Sequence, residues 1–367
     1  MQKYLIALLA IIGWACSSSN QPAEDVKPIP LFETPKHFDQ PVYPFDKNPI
    51  TQAGFDLGKR LFYDGILSKD STIACGECHR QYFVFTHHLH DLSHGIGGRV
   101  GLRNASTIQN LAWQSNFMWD GRITDLDKLP EFPIQHPDEM DDTIDNVLQK
   151  LRNNKTYPTQ FKAAFGSEEI TSERMLKALS QFMLSLVSAN SRYDKYIKQE
   201  TGGTLTADEL AGMKLFEDKG CKSCHAGVLF TDQSYRNNGL SKFERSKIVY
   251  TNGVPNIQVV WDEGRYEITK QETDRFKFKI PSLRNVAESL PYMHDGRFKT
   301  LTEVLNYYDA GVQDTPNLDP ILKQNGRLGI PLSADEKRKI IAFLNTLTDT
   351  DFLKDKRFAE PDGFPVR

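Results

Sequence analysis

Two copies of a Cys-x-x-Cys-His pentad carry the clearest chemical signature in this chain. Their reactive side chains are Cys75, Cys78 and His79 in the first copy and Cys221, Cys224 and His225 in the second. Two thiols at this spacing can add to the two vinyl groups of one haem, and the adjoining imidazole can ligate its iron. The alternative is a zinc site built from two thiols and one imidazole, and nothing near either pentad supports it. The pentads therefore predict two covalently attached haem c groups.

The fifth cysteine, Cys16, ends an apolar segment that follows Lys3. The segment is short for a bilayer span and is followed by serines, so residues 1–16 are typical of an export signal. A cysteine at this place resembles a bacterial lipoprotein cleavage site with acylation at Cys16, and simple export is the alternative. No later apolar run is long enough for a transmembrane helix. Because bacteria attach haem c outside the cytoplasm, both alternatives agree with a periplasmic location.

Residues 17–49 are rich in proline and predict a tether, or an extended strap lying on the folded body. The remaining length of just over 300 residues is enough for two domains. The formal net charge is −3, and no basic run suggests a nucleic acid partner.

An internal repeat predicts how the chain is organised. Residues 107–122 align without gaps with residues 282–297, and a shorter repeat at 58–64 and 212–218 precedes each pentad. We therefore expect a mostly α fold with two cytochrome c-like haem domains related by duplication, at 50–195 and 196–350, and a tail at 351–367. The first half carries the first pentad and the second half the other.

Hydrophobic periodicity predicts helices at 142–152, 172–187, 301–308 and 334–347. Thr206 and Glu209 are spaced as a capping box that begins a further helix. The second half contains about 29 additional residues between its pentad and its repeat. Short strands are expected in this insert at 247–250, 257–261 and 266–269.

The two halves differ where a second axial ligand or a catalytic group would lie. After its repeat, the first half has Glu139 in a predicted loop, whereas the second half has Tyr307 and Tyr308 on a predicted helix. Unequal surroundings indicate one iron that performs chemistry and one that supplies electrons.

With these residues in view, the chain resembles the bacterial di-haem cytochrome c peroxidase family, which includes the MauG type. The resemblance extends from about residue 54 to about residue 347. It rests on both pentads and on the segments 103–104, 117–121, 137–140, 281–285 and 291–296.

The resemblance implies that the first haem is the one that meets peroxide, with His79 as its proximal ligand. His94 matches the displaceable distal histidine of the family, and Glu139 matches the distal glutamate. Trp119 matches the tryptophan between the haems. A carboxyl group in a partly dry haem pocket is also suited to moving a proton between peroxide oxygens. Without the resemblance, Glu139 could equally favour the start of the following helix, and Trp119 would more often be a packing residue.

The resemblance also implies a calcium site at the domain interface. Its ligands are Asn104 and the carbonyl groups of Ser289 and Pro291. The expected partners are hydrogen peroxide and a small electron-donor protein, either a cytochrome c or a copper protein. A homodimer is also suggested by the family. The membrane is expected to be contacted only through a lipid anchor at Cys16.

Two positions depart from the pattern of the classical family peroxidases. Leu129 occupies the place of the usual distal glutamine, so the peroxide pocket lacks one hydrogen-bonding group. Tyr308 occupies the place of a methionine ligand of the second haem, as in the MauG type, whose tyrosine ligand favours higher oxidation states. Met293 is the alternative sulfur ligand, although Met118 takes the equivalent place in the first half and favours a packing role for both.

Three functions remain open at this point. The leading hypothesis is a peroxidase that reduces hydrogen peroxide at the first haem with electrons relayed through the second. The second is a MauG-like oxidase that modifies residues of a partner protein, which Tyr308 favours. The third is an electron-transfer cytochrome without enzymatic activity.

Overall fold

A computed structural model of the chain describes residues 30–87, 90–240, 245–251 and 254–362. Most of the secondary structure in these residues is helical. Between 245 and 257 only the backbone is described. The helices are α1 (Gln52–Tyr63), α2 (Cys75–Cys78), α3 (Glu131–Gln135), α4 (Ile144–Asn153), α5 (Tyr157–Phe165), α6 (Ser172–Leu184), α7 (Arg192–Ile197), α8 (Ala207–Asp218), α9 (Tyr266–Thr269), α10 (Leu301–Asn306), α11 (Ala334–Asn345) and α12 (Thr350–Lys354). The mostly α class is confirmed. The four helices predicted from periodicity are α4, α6, α10 and α11, with ends that differ by a few residues.

The strands form three separate antiparallel ribbons in the described residues. They are β1 (Tyr235–Arg236), β2 (Arg245–Thr251), β3 (Val254–Val260), β4 (Phe278–Lys279), β5 (Lys323–Gln324) and β6 (Arg327–Leu328). The longest ribbon pairs β2 with β3, with Ile248 opposite Ile257. Strands were expected in both of these segments, and they form one hairpin within the insert of the second half.

The third strand expected in the insert is wrong, because residues 266–269 form the single helical turn α9. Tyr266 and Ile268 favour strands by their intrinsic preference, but tertiary contacts decide the conformation here. The guanidinium of Arg275 lies 3.6 Å from the centre of the Tyr266 ring. Glu267 is turned toward the guanidinium groups of Arg103 and Arg122 in the first half, at 3.7 and 3.4 Å. A strand would alternate these side chains between opposite faces and lose one set of contacts.

In the first half, α1 packs against α6 and places the first pentad at its end. The side chain of Thr51 caps α1 by accepting a hydrogen bond from Gly54 N at 3.0 Å. A Cβ atom at Gly58 would lie only 1.9 Å from the carbonyl oxygen of Ala178, so the two helix backbones touch there. Phe62 is buried at this contact and packs on Phe182 with ring centres 5.0 Å apart.

The second half has the same arrangement in α8 and α11. The predicted capping box of Thr206 and Glu209 is present at the start of α8. A Cβ atom at Gly212 would lie 1.9 Å from the carbonyl oxygen of Lys339, which repeats the contact at Gly58.

The repeated segments share an unusual backbone conformation. Positive φ angles occur in both copies at Asn110 and Asn285, Met118 and Met293, and Gly121 and Gly296. Asparagine and glycine adopt this region readily, whereas methionine does so only when its surroundings impose it. The equivalent geometry agrees with the internal sequence repeat.

Buried amide groups join the two halves. Gln109 Nε2 donates to the carbonyl oxygen of Arg284 at 2.8 Å. Asn285 Nδ2 donates to Gln109 Oε1 at 2.6 Å and to the hydroxyl of Ser188 at 2.9 Å. Gln109 and Asn285 are each no more than 1% exposed, so neither amide has water as an alternative partner.

Residues 31–49 lie as a strap across the first half. Phe38 is buried, with its ring edge against Trp113 at 5.1 Å. Trp113 Nε1 donates to the carbonyl oxygen of Asp39 at 2.7 Å, and Val42 N donates to that of Ala112 at 2.9 Å. The predicted export segment and Cys16 lie outside the described residues.

One ion pair is fully buried where the strap, α7 and the second half meet. Arg284 donates to both carboxylate oxygens of Asp194 at 2.8 and 2.9 Å, and both side chains have no exposed surface. His37 of the strap lies 2.9 Å from the same carboxylate. Burial alone would raise the pKa of Asp194, but the hydrogen bonds and charge of Arg284 outweigh it and lower this pKa to about 2.

We expect Arg284→Met to lower the free energy of unfolding by about 3–5 kcal/mol, because it leaves the Asp194 carboxylate buried without its cation. Since the pKa of Asp194 is lower in the folded state, the contribution of the pair is present above about pH 4 and is lost as the pH falls towards 2. Denaturant titration at several pH values measures both effects. The control is Arg338→Met, which removes an exposed partner of Asp208 and should change stability far less. Equal losses in the two variants would contradict the assignment.

Candidate haem and peroxide sites

The first pentad lies on the short helix α2, which contacts the end of α1: a Cβ atom at Gly76 would lie 2.4 Å from the ring of Tyr63. His79 Nδ1 lies 2.6 Å from the carbonyl oxygen of Phe85. A carbonyl can only accept, so Nδ1 carries the hydrogen and Nε2 keeps its lone pair for a metal. Burial lowers the pKa of His79, which keeps the ring neutral as a ligand requires.

The second pentad repeats this arrangement with different local structure. A 3₁₀ turn at Cys221–Ser223 replaces the helix, and His225 Nδ1 lies 3.1 Å from the carbonyl oxygen of Phe230. Burial also lowers the pKa of His225. Both histidines are therefore held in the tautomer that leaves Nε2 available.

These side chains fit two haem c groups. None of the four pentad cysteines is in a disulfide, and each pair is followed by an imidazole with one committed and one available nitrogen. Burial, and then the charge of Cys78, raises the pKa of the Cys75 thiol to about 12.

We expect the double substitution Cys75→Ser and Cys78→Ser to give a protein that carries one covalent haem. The pair Cys221→Ser and Cys224→Ser should also leave one, because each pentad can attach its own group. Mass spectrometry of the denatured protein counts the haems. Retention of two haems by either variant would contradict this assignment.

Glu139 lies near the first pentad, in the turn that follows α3. Burial, and after it the negative charge of Glu139, raises the pKa of the Cys78 thiol to about 12, so the carboxylate is within electrostatic range of that sulfur. The pKa of Glu139 is itself raised to about 7 by burial and by the charge of Asp138, against a lowering by Arg122. The side chain does not cap the following helix, since Thr143 caps α4. A carboxyl group that is half protonated near pH 7 can act both as a base and as an acid.

The predicted distal histidine, His94, is brought to the same region through its backbone. Its carbonyl oxygen lies 3.8 Å from Cys78 Sγ. A Cβ atom at Gly95 would lie 2.1 Å from the carbonyl oxygen of Asp138, and Ile96 N donates to that of Glu139 at 2.8 Å. The loop of His94 thus packs on the turn of Glu139, next to the first pentad.

The imidazole of His94 is exposed and contacts other histidines. Its ring centre lies 4.6 Å from that of His90 and 5.9 Å from that of His87. Among the residues that the structure describes, no three His, Cys, Asp or Glu side chains lie close enough together to hold a metal ion.

Trp119 lies at the contact between the halves. Its indole Nε1 donates to the carbonyl oxygen of Asn104 at 2.9 Å, and Asn104 N donates to the carbonyl oxygen of His294 at 2.7 Å. His294 is buried and stacks on Phe278 with ring centres 3.7 Å apart. Two hydrogen bonds therefore lead from the indole to the second half, in which His294 has a packing role.

The predicted calcium ligands are partly brought together. Asn104 Nδ2 lies 3.0 Å from the carbonyl oxygen of Pro291, and the hydroxyl of Thr86 lies 3.4 Å from Asn104 Oδ1. Rotating the amide by half a turn would place Oδ1 beside Pro291 O, as a cation with oxygen ligands requires. The hydroxyl and the backbone N–H of Ser289 both donate to the carbonyl oxygen of Val286, at 3.3 and 3.4 Å, within its own turn. The residues are compatible with calcium, and no carboxylate contributes to them.

Both candidate ligands of the second haem meet at one side chain. Asn238 Nδ2 lies 3.4 Å from Tyr308 Oη and 3.6 Å from Met293 Sδ. Tyr308 lies in a π-helical turn, Tyr307–Gly311, that continues α10. Burial raises the pKa of Tyr308, with smaller effects from Asn238, Cys224 and Cys221, so the phenol lies close to the second pentad.

Several residues that shape these sites could not be recognised from the amino-acid sequence. The carbonyl groups of Phe85 and Phe230 orient the two histidines, and backbone groups leave no mark on residue type. Asn238 is 70 positions from Tyr308 in the sequence. His136 is the exception, because it lies three residues before Glu139 and its spacing could have indicated a contact. Leu129, at the usual glutamine position, packs at the edge of the first hydrophobic core.

A mostly helical chain with two haem-attachment pentads, each ending in an oriented imidazole, defines a di-haem c-type cytochrome. This chain belongs to the di-haem cytochrome c peroxidase family, whose sequence profile, described as "Di-haem cytochrome c peroxidase", matches residues 52–202. It is therefore an oxidoreductase, and membership of the family implies two haem c groups.

Relatives that align with 80–90% of the chain support this membership. The methylamine utilization protein MauG of Methylorubrum extorquens is 33% identical over 304 residues, which are 82% of this chain and 79% of that protein. The cytochrome c551 peroxidase of Nitrosomonas europaea is 33% identical over 295 residues, or 80% of this chain and 79% of that protein. A crystal structure of a MauG-like protein associated with microbial copper homeostasis is similar with a TM-score of 0.77 and 32% identity, covering 90% of this chain and 99% of that one.

Proposed function

We propose that this protein reduces hydrogen peroxide to water at the first haem, with electrons relayed through the second. The observation that carries the proposal is Glu139, a carboxyl group with a pKa of about 7 beside the first pentad. Beside the second pentad the structure has the phenol of Tyr308 instead. This difference supports chemistry at one centre and electron supply at the other.

The haem groups, when bound, supply iron for cleavage of the O–O bond and for storage of oxidising equivalents. The protein's part is proton movement and access. The Glu139 carboxylate accepts a proton from one peroxide oxygen and returns it to the other, which then leaves as water. The loop of His94, lying against the turn of Glu139, controls access on the same side.

Electrons are proposed to pass between the halves near Trp119. Its hydrogen-bonded connection through Asn104 to His294 supports this route. The proposed donor is a small cytochrome c or copper protein that delivers electrons to the second haem. The named activity of the Nitrosomonas europaea relative supports the peroxidase proposal.

A MauG-like oxidase is the second candidate, and Tyr308 favours it. In this case the two haems would together hold oxidising equivalents that are used on residues of a partner protein. The relative named MauG and the similar MauG-like structure support this candidate as well.

Stopped-flow turnover of hydrogen peroxide with a reduced cytochrome c tests the first candidate. We expect the oxidation of two donor molecules for each peroxide consumed, and a high-spin first haem in the half-reduced protein. A protein that reacts with peroxide yet oxidises no donor would contradict the peroxidase and favour the MauG-like alternative.

The proposal also includes the domain organisation, a calcium ion, the cellular location and the assembly of the protein. The repeated backbone geometry supports two haem domains related by duplication, and the contact of Asn104 with Pro291 supports a calcium ion between them. We propose a periplasmic location, with a lipid anchor at Cys16 and a homodimer as the assembly. No described helix is both long and apolar enough to cross a membrane.

A further inference from the structure

The internal repeat extends upstream of its aligned segments, because one contact recurs in both halves. The hydroxyl of Thr86 donates to the carbonyl oxygen of Ala105 at 2.5 Å, and the hydroxyl of Thr231 donates to the carbonyl oxygen of Ile280 at 2.6 Å. Ala105 and Ile280 are separated by the same number of residues as the aligned segments. Each threonine directly follows the residue whose carbonyl group orients the histidine of its pentad. The repeat therefore also relates the residues just before Ala105 and Ile280.

Those residues are Asn104 and Lys279, and their backbones make equivalent contacts. Asn104 N donates to the carbonyl oxygen of His294 at 2.7 Å, and Lys279 N donates to that of Trp119 at 2.7 Å. The repeat also pairs Trp119 with His294. Each half thus reaches across the junction to the same place in the other half.

The side chains of the two residues meet equivalent oxygen atoms. Asn104 Nδ2 lies 3.0 Å from the carbonyl oxygen of Pro291, which is one of the expected calcium ligands. Lys279 Nζ donates to the carbonyl oxygen of Asn116 at 2.5 Å. Asn116 is the repeat equivalent of Pro291. The ammonium group of Lys279 therefore lies where the repeat places a counterpart of the calcium site.

Gln114 supplies a second oxygen atom to this ammonium group. Lys279 Nζ donates to Gln114 Oε1 at 2.6 Å. Gln114 is the repeat equivalent of Ser289, the third residue of the expected calcium site. The two residues correspond in position rather than in atom, because Gln114 uses its side chain and Ser289 is expected to use its carbonyl group. All three residues of the calcium site thus have counterparts around Lys279.

The oxygen atoms around the Lys279 ammonium group are neutral. Burial lowers the pKa of Lys279 to about 8, and no charged side chain among the described residues contributes to this shift. The group still carries its charge at pH 7. Carbonyl and amide oxygens are also ligands that calcium accepts. The same kind of oxygen set can therefore hold either a metal cation or an ammonium group.

We propose that the ammonium group of Lys279 is a built-in cation, which replaces a metal ion at the second of two equivalent positions on the junction of the halves. Lys279 is thus a positioning residue. Its side chain holds residues 114–116, and its N–H holds Trp119 on the proposed electron route. The inference takes the calcium ion at Asn104 from the proposal above, and it does not depend on peroxidase activity.

Calcium content tests this inference in the full-length holoprotein. Lys279→Asn exchanges the ammonium group for the oxygen ligand of the other half, so this variant should bind one calcium ion more than the wild type. Lys279→Met keeps the length of the side chain without such a ligand and should bind the same amount as the wild type. The control is Lys277→Met, which removes a lysine paired with Asp274 at 3.6 Å and should also match the wild type. Elemental analysis after dialysis against calcium measures the content.

Stability provides a second readout. With a chelator present, the equilibrium constant for unfolding should rise about tenfold or more in both Lys279 variants, because each loses hydrogen bonds to a charged group. Calcium should reverse this loss in Lys279→Asn but not in Lys279→Met. Equal calcium content and equal responses to calcium in these two variants would overturn the inference.

The reciprocal variant Asn104→Lys tests the same equivalence if Lys279→Asn does not fold. It should lose the calcium ion of the wild type, and its stability should no longer respond to a chelator. Retention of calcium would count against the inference. If the wild type binds no calcium, the proposed calcium ion is wrong, and a calcium ion gained by Lys279→Asn alone decides the role of Lys279. None of these measurements uses peroxide, so a failure of the proposed peroxidase function is recognised separately.

Discussion

Glu139→Gln should reduce kcat/KM for hydrogen peroxide by about 10²–10⁴-fold, the range that a positioned acid–base group contributes. The amide keeps the size of the side chain but can neither accept nor return a proton. Covalent haem content should stay at the wild-type level, since the carboxyl group attaches neither haem. Stopped-flow mixing with peroxide measures the rate of the first step directly.

The role of Glu139 also predicts the direction in which kcat/KM changes with pH. Only the carboxylate form of Glu139 can accept a proton from peroxide, and its pKa is raised to about 7. We therefore expect kcat/KM in the wild type to fall as the pH drops below about 7 and to level off above it. This limb should be absent from the profile of Glu139→Gln.

The matched control is Glu131→Gln on α3, where the carboxylate accepts a hydrogen bond from Gln135. It removes one negative charge from the same region without touching the turn of Glu139. A similar loss of activity in both variants would indicate a general electrostatic effect, and it would remove Glu139 from its proposed role.

Tyr308→Met should raise the reduction potential of the second haem by a few tenths of a volt, out of the roughly 0.8 V that axial ligands control. A phenolate favours the oxidised iron, whereas a methionine sulfur favours the reduced one. The absorption spectrum of the oxidised protein should acquire the charge-transfer band of histidine–methionine ligation. Spectroelectrochemical titration measures the shift. High-valent chemistry of the MauG type should be lost at the same time.

Two control variants distinguish Tyr308 from Met293 as the ligand of the second haem. Tyr307→Phe removes the neighbouring phenol, which donates to the carbonyl oxygen of Asn238 at 2.8 Å, and should leave the potential of the second haem nearly unchanged. Met293→Leu should also have a small effect. If Met293→Leu alone changes the spectrum of the second haem while Tyr308→Phe does not, Met293 is the ligand and the prediction is wrong.

The covalent motifs and the helical class could be predicted because each depends on local sequence. A CxxCH pentad contains its own chemistry, and helices such as α6 and α11 show an apolar face at the correct period. The cap of Thr206 is likewise set by a residue three positions away. Family resemblance, rather than local pattern, supplied the expectations for Glu139 and Tyr308.

What could not be predicted depends on contacts between distant segments. Asn238 meets Tyr308 and Met293 only because the fold brings three distant segments of the chain together. Residues 266–269 have the composition of a strand, but Glu267 is engaged by arginines of the first half and the segment turns helical. Such choices follow from tertiary contacts that outweigh local preference.

The buried amide of Gln109 has a consequence for the order in which the chain can mature. Its partners, the carbonyl oxygen of Arg284 and the amide of Asn285, are synthesised about 175 residues later. Until then, the amide of Gln109 has only water in place of these two partners, and it exchanges water for them when the halves make contact. The N-terminal half emerges first but completes its interior only after residue 285 has been made. We therefore expect the first pentad to meet its haem before the contact at Gln109 has formed, and the second pentad to meet its own closer to the time when that contact forms.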